Sequence, residues 1–556
     1  MFSSSGNKQI KGHTRREFLG RLSAVSALGV VTVAGEPATS ARAANSPGAA
    51  LTSKRRAQES FEIRKGCAAE QLRAGAPLQT ANGDEERYQN LIANNSKGLP
   101  HNSIGEVDAN AYQVFLEAVN AGTAEAFEKV PLGGTAKLVN PLAGLAFDLE
   151  GTDSHQFAIA PAPSLASQAR ADEMVELYWM ALCRDVSFSD YASNPITQAA
   201  AKELSFFGNF EGPKGAGRMN AHTLFRGFTP DDSIGPYVSQ LFQIPFSYGH
   251  FFLAGQVTTY QPGTDYLTSQ TKWLECQNGE GPFSPNSLDP EPRYYRNGRD
   301  LAAYVHFDQI CEAFYNAALR LYEAGAPPNR GNPYVKMKKQ SGFATFGEPH
   351  FLTMHGEFAL RALKASWYPK WYVHRTLRPE AYGGLVHMAK SGHAVYPVHS
   401  DVLDSKAVEE TRAKYGTYFL SSAYPEGAPL HPSYPQAHST IAGACATLLK
   451  AAFDGTVQFN TLRAIQIASA DGLCLLPYTE SDANQITVNG EINKLASNIG
   501  MARNFAGVHW RSDYSEGLKL GEAVAISLLR DQERLCRGEN FSGFTITKFD
   551  GTTISI

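Results

Sequence analysis

Several things are missing from this 556-residue chain, and each absence closes a class of function. Its seven cysteines (67, 183, 276, 311, 445, 474 and 536) include no CxxC pair and no zinc-ligand spacing, which removes metal fingers and dithiol redox motifs. There is no internal repeat and no low-complexity tract, so the chain is neither a solenoid nor a scaffold of disordered linkers. Beyond Ala34 no apolar run reaches the roughly 18 residues that a membrane span needs. The formal net charge is only −4, so general binding to nucleic acid or to an acidic membrane is not expected. Any anion this protein holds must therefore be held by locally placed cations. What is present in quantity is apolar and aromatic side chain, 43% and 11% of residues, ample for a large buried core. An odd cysteine count leaves at least one free thiol, and settings such as Gly443-Ala444-Cys445-Ala446 read as buried and helical.

The N-terminus carries Thr14-Arg15-Arg16-Glu17-Phe18-Leu19, then a mildly apolar run from Leu22 to Ala34 and the A-x-A site Ala41-Arg42-Ala43. Pair, run and cleavage site in that order predict a twin-arginine export signal over residues 1–43. The mature chain is then expected to begin near Ala44 and to work in the periplasm or outside the cell. Residues 44–105 read as a polar N-terminal arm, 106–330 as an N-terminal helical region and 331–556 as a C-terminal helical catalytic region. Apolar periodicity predicts helices over 111–121, 171–183, 191–204, 297–324, 350–377, 440–452 and 518–535. Long irregular stretches are expected at 208–235 and 259–296. Alternating residues on both sides of Asp550-Gly551 predict a closing hairpin.

Three basic segments stand out. In Trp367-Tyr368-Pro369-Lys370 through His374 to Arg378-Pro379, the proline should stop a helix near Leu377. Lys370, His374 and Arg378 would then stack at i, i+4 and i+8. Taken alone, this segment fits a solvated basic face as well as an anion grip. The second, His431-Pro432-Ser433-Tyr434-Pro435-Gln436-Ala437-His438, is a proline-stiffened loop feeding a small-residue helix whose N-terminus offers free N–H groups to an anion. His438 in its first turn suits an acid–base role or a cap. In the third, Arg503 ends a helix, His509 opens the next, and Asp513 lies one turn on, able to orient the imidazole through its second nitrogen. His387, His393 and His399 recur at a spacing that holds to no helix face, so they read as incidental loop residues near the pocket mouth.

Lys-x7-Arg-Pro, Pro-Ser-Tyr-Pro-x-x-His and Arg-x5-His-x3-Asp, in this order, resemble the vanadium-dependent haloperoxidases and the type 2 acid phosphatases that share their fold. The segment 342–350, Arg378 to Gly384 and the Asp550-Gly551 tail are similar to the algal bromoperoxidase branch. So are the seven-residue gap between Lys370 and Arg378 and the histidine at 431. The resemblance implies an all-α helical-bundle fold with long loops and a short C-terminal β-hairpin, and homo-oligomers. It implies vanadate as cofactor, with hydrogen peroxide, a halide (bromide favoured) and an organic acceptor as reactants. By resemblance His509 is the axial vanadium ligand, and Lys370, Arg378 and Arg503 neutralise the oxyanion. Gln436, Ala437 and His438 line the same shell, His438 and Asp513 join Lys370 and His509 in catalysis, and Trp367 and His431 wall the pocket. Asp308 is a further candidate, for pairing one of the arginines.

One departure is visible. Gln436-Ala437 stands where the family carries Ser-Gly, and an added methyl is costly if position 437 needs a positive φ. Two other readings therefore stay open: an exported phosphohydrolase with His509 as nucleophile, and a vanadate-poor, inactive homologue.

Overall fold

The computed structural model describes residues 52–207, 212–214 and 218–556. The predicted export signal lies outside them. The chain divides into a first unit, Met1–Glu62, and a second, Ile63–Ile556, which holds everything that follows. The regions read as 106–330 and 331–556 both fall within this second unit.

The helices that matter for the site are α1 (Ala109–Ala121), α2 (Gln168–Leu182), α3 (Gln270–Asn278), α4 (Gly298–Phe307), α5 (Glu348–Tyr368), α6 (Pro379–Lys390), α7 (Ala437–Ala452), α8 (Val488–Phe505) and α9 (Arg511–Leu535). α7 is the axle. Apart from His438 every residue along it is buried, and it packs against α5, α8 and α9. The contact with α9 is close because glycines face it. A Cβ on Gly521 would sit 1.9 Å from the Thr440 carbonyl, and one on Gly443 would sit 2.3 Å from the Leu518 carbonyl. Two backbones this near leave no cavity between them, as dense helix packing requires. Among the described residues, strand is confined to three two-stranded hairpins, the last pairing Thr545–Thr547 with Thr553–Ser555 as the turn at Asp550-Gly551 predicts. No described helix is long and apolar enough to cross a membrane.

Three expected elements differ. The helix expected over 350–377 ends at Tyr368, passes through a π-helical turn over Pro369–His374, and leaves it at Arg375 with φ 40°. Arg378 then caps α6 with Pro379 at its first position, so the proline opens a helix rather than closing one. The helix expected over 297–324 breaks after Phe307, where Asp308 turns extended at φ −61°, ψ 149°. The irregular stretch at 259–296 contains α3, started by the Ser269 hydroxyl on the Lys272 N–H. Residues read as a polar arm also reach inward, since Asn94, Asn95, Lys97 and Leu99 are buried.

Candidate functional site

Lys370, Arg378, His431, Ser433, Arg503, His509 and Asp513 come together beside the start of α7. Each arrives from a segment end, where the backbone changes direction and a side chain can be aimed. The π-helical turn carries Lys370 into the interior, and its Nζ donates to the carbonyls of Pro432 (2.9 Å) and Ser433 (2.7 Å). An ammonium has three N–H bonds, so one remains for a ligand. Arg378 donates through Nε to the His431 carbonyl (3.1 Å) and through Nη1 to the Val508 carbonyl (2.8 Å). Arg503, in the last turn of α8, donates to the Val305 carbonyl (3.1 Å) and the Tyr424 hydroxyl (3.3 Å), while its Nε is buried without a partner. Lys370, His374 and Arg378 do not share a helix face, because the chain turns between them. His374 lies apart, edge-on to Tyr434.

His509 is held in one tautomer by what surrounds it. Its Nδ1 is 2.7 Å from Asp513 Oδ2 and its Nε2 is 2.8 Å from Arg378 Nη1. A guanidinium only donates, so Nε2 is the acceptor and Nδ1 carries the proton toward the carboxylate. Asp513 Oδ2 also accepts from the Trp510 N–H (3.0 Å) and from the Ser433 hydroxyl. Ser433 belongs to the loop motif, but the motif does not mark it as a site residue. The only sequence signal for it is its place between two prolines that aim the loop.

The electrostatics follow from burial of cations without an ion-paired carboxylate, the charge of Asp513 opposing the effect on Lys370 and Arg378 only in part. Burial, then the charges of Arg378, Lys370 and Arg503, holds His509 well below the ordinary histidine value. His431 is held down likewise, by burial and by Arg378, whose Nη2 lies 3.0 Å from its Nδ1. Burial pushes Lys370 far below its usual range, with Arg378 and Arg503 adding to it. Arg378 is pushed down to about 9, chiefly by burial. Asp513 is raised by burial, against the Ser433 hydrogen bond and the Lys370 charge. Among the described residues no carboxylate forms an ion pair with Lys370, Arg378 or Arg503. Three buried cations so placed make a cradle for an oxyanion, since an unpaired buried charge costs several kcal/mol, roughly, until something offsets it.

His438 sits in the first turn of α7 with 28% of its side chain exposed, and its Nε2 is 3.1 Å from Asp308 Oδ1. Asp308 thus partners this histidine and not an arginine, because the break after α4 swings it toward the start of α7. Gln436 caps α7 with its own N–H on the Asp513 carbonyl (2.9 Å), while its side-chain Nε2 donates to the Gly500 carbonyl (3.0 Å). One amide N–H is therefore engaged on α8, while the amide oxygen is buried without a partner. Ala437 is helical with negative φ, so its methyl meets no backbone strain, and it packs with Trp367 and Trp371. Trp367 covers His431 at 4.9 Å between ring centres. His387 lies in α6, His393 just beyond it, and His399 caps the turn at 400–403. Among the described residues no cluster of three or more His, Cys, Asp or Glu side chains is set to hold a metal ion.

A layer behind Arg503 escaped the sequence reading. Tyr424 lies under the guanidinium at 5.2 Å, and His306 stacks on Tyr424 at 3.9 Å. His306 Nε2 is in turn held by Glu426 at 2.5 Å. Nothing in the residue spacing signals this layer, since its members come from distant segments.

Comparison with known proteins adds the following. The family model described as the VCPO second helical-bundle domain matches residues 351–538. The chain is 34% identical over 595 aligned residues to the vanadium-dependent bromoperoxidase of Corallina pilulifera, covering 90% of this chain and 98% of that protein. It is equally identical over 524 residues to the vanadium-dependent bromoperoxidase of Ascophyllum nodosum, covering 90% and 92%. The homohexameric structure of the second vanadate-dependent bromoperoxidase from Ascophyllum nodosum superposes with a TM-score of 0.86 at 29% identity, covering 96% of this chain and 95% of that one.

Proposed function

The chain belongs to the family of vanadium-dependent bromoperoxidases, and from that premise we propose that it binds vanadate in the cradle of Lys370, Arg378, Arg503 and His509. It is an enzyme of the haloperoxidase type. With vanadate it oxidises bromide by hydrogen peroxide to a hypobromous acid equivalent, which halogenates an organic acceptor. The observation that carries this reading is a buried imidazole whose Nδ1 is held by Asp513 and whose Nε2 accepts from Arg378, with the charges of Lys370 and Arg503 nearby and, among the described residues, no carboxylate ion-paired to any of the three cations.

The residues fit a tetrahedral oxyanion of vanadium. Arg503 Nε and the third N–H of Lys370 are donors without an acceptor in the protein, and Arg378 turns its Nη1 toward His509 Nε2. When bound, vanadate supplies a Lewis-acid centre that activates peroxide without change of its own oxidation state. The chain does the rest. Asp513 keeps the proton on His509 Nδ1, so that Nε2 stays a ligand and not an acid. Lys370 and the two arginines hold negative charge in a site closed to bulk water, where fixed donors act at little reorganisation cost. Asp308 accepts from His438 Nε2–H, which leaves Nδ1 as the basic nitrogen that takes and returns a proton at the mouth.

The Gln436-Ala437 pair supports retention of the cradle. Gln436 holds one amide N–H on the Gly500 carbonyl, which anchors the start of α7 to α8, and Ala437 is unstrained. Export by the twin-arginine route, supported by Arg15-Arg16 and the apolar run after them, and assembly into a homo-oligomer, as in the hexameric relative, are part of the same proposal.

The test is bromination of a phenolic dye by the purified protein with peroxide and bromide, with and without orthovanadate, beside His509→Ala. Vanadate-dependent activity that the variant lacks is the expected result. No activity and no retained vanadate would sink the reading.

A further inference from the structure

A second buried site, outside the anion cradle, joins a lysine, a cysteine and a glutamate. Lys97 enters the core from the segment before α1, and its Nζ is 2.6 Å from Glu380 Oε1 and 2.8 Å from the Glu426 carbonyl. The same nitrogen is 3.1 Å from Cys276 Sγ on α3. The sulfur is also 2.8 Å from the Glu426 carbonyl. Both side chains are buried, Lys97 at 3% exposure and Cys276 at 0%. The fit is tight. Gly427 has φ +64°, and a Cβ there would meet Glu380 Oε2 at 2.2 Å and Cys276 Sγ at 3.0 Å. The other fully buried cysteines differ in kind: Cys445 Sγ lies 3.8 Å from the His355 carbonyl and Cys183 lies in the apolar core, and among the described residues neither is hydrogen-bonded to an amine. A surface pocket of about 250 Å³ is lined by Leu267, Glu275 and Pro425, the last two being the chain neighbours of Cys276 and Glu426.

We propose that Lys97 and Cys276 are a modification site in which oxidation by hydrogen peroxide joins Nζ to Sγ through a single bridging oxygen. A first peroxide oxidises the thiol to a sulfenic acid; its O–O bond breaks and one water leaves. A second oxidises the amine, whose ammonium proton passes to Glu380, to the hydroxylamine, and another water leaves. Condensation of the N–OH with the S–OH forms the O–S bond and expels a third water. Two peroxides thus take up four electrons, two from sulfur and two from nitrogen. An oxygen bridge suits the geometry better than a direct S–N bond. Nζ is anchored by Glu380 and the Glu426 carbonyl, and 3.1 Å leaves room for one atom between it and sulfur with little movement.

The bridge would tie the segment before α1 to α3 beside Glu380 and Glu426, which stand on segments that lead to the cradle. Glu380 follows Arg378 by two residues, and its Oε2 accepts from the Ala428 N–H at 2.6 Å in the loop leading to His431. The link needs peroxide but neither vanadate nor halide. Its test is therefore run without them and can fail independently of the bromoperoxidase reading.

The full-length purified protein is treated with hydrogen peroxide, digested without reductant and analysed by tandem mass spectrometry. The expected product is a Lys97 peptide linked to a Cys276 peptide, with a net gain of about 14 Da over the two alone, separated again by a thiol reductant. Cys276→Ser, which keeps the size and polarity of the side chain, and Lys97→Arg should each abolish it. Thiol titration of the denatured protein gives a second measure: of the seven free thiols, peroxide should remove one more from the wild type than from Cys276→Ser. Recovery of both peptides unlinked, or of a linked pair lighter by about 2 Da as a direct S–N bond would be, overturns the proposal.

Discussion

Two buried clusters of cations in this protein are built on opposite terms. Around the start of α4, Arg184 and Arg299 share Asp265, Arg299 also pairs with Asp185, and Lys414 closes on Asp265 at 3.1 Å. Burial would raise Asp265, but Arg184, Arg299 and Lys414 hold it well below the usual carboxylate range. Around the start of α7, by contrast, Lys370, Arg378 and Arg503 find only carbonyls, a tyrosine hydroxyl and histidines. The first cluster is complete within the chain and serves the fold. The second is left positive, at a cost to stability that an oxyanion would offset. Burial of charge does not by itself mark a site; burial of charge without its counter-charge does.

Breaking the complete cluster should cost most. Asp265→Asn would leave two buried arginines short of a partner, and chemical denaturation is expected to show about 3–5 kcal/mol less stability, with vanadate affinity unchanged. The same operation on the cradle should have the reverse signature. Lys370→Met is expected to lower bromination by about 10²–10³-fold, as for loss of a preorganised donor. The vanadate-free protein should unfold no more easily, because an uncompensated charge has been removed. Equal destabilisation of the two variants would end the distinction.

Acid should act on the neutral buried histidines more broadly. Burial holds His101, His355 and His374 down to about 4, so the unfolded chain takes up their protons first. Their contribution is whole above about pH 6.5 and declines toward about 4, by roughly 1 kcal/mol per histidine for each pH unit. Denaturation midpoints across that range test the sign.

Within the cradle, Asp513→Asn should free the His509 tautomer and weaken vanadate retention by about 10–100-fold, measured by dialysis and metal analysis. Gln436→Ala should do least. It removes the hydrogen bond to Gly500, worth about 1 kcal/mol of stability, while vanadate affinity moves by no more than about threefold. A larger loss of affinity would mean that Gln436 turns toward the anion.

The parts of the site that were legible lie close together in sequence. Arg503, His509 and Asp513 span a helix end, a turn and a helix start, and a four-residue offset brings an imidazole to its carboxylate wherever the second helix begins. The Lys370–Arg378 segment was legible as a pair of cations but not in its path. A proline at 379 reads equally as the end of one helix and the first residue of the next, and the π-helical turn before it has no periodic signature. Asp308 was misread for a related reason. Apolar periodicity runs through 297–324 without interruption, so the break that brings Asp308 to His438 does not show in the pattern.

The sequence alone determined which side chains are proposed to hold an oxyanion, that helix far outweighs strand, and that the tail closes in a hairpin. These rest on residue identity, on local spacing and on turn chemistry, which act over a few residues. Only the tertiary structure decided that, among the described residues, no carboxylate ion-pairs with Lys370, Arg378 or Arg503, that Gln436 turns an amide N–H to α8, that Tyr424 and His306 back Arg503, and that Lys97 meets Cys276. Each of these depends on which distant segments become neighbours, and that is settled by the packing of the whole core.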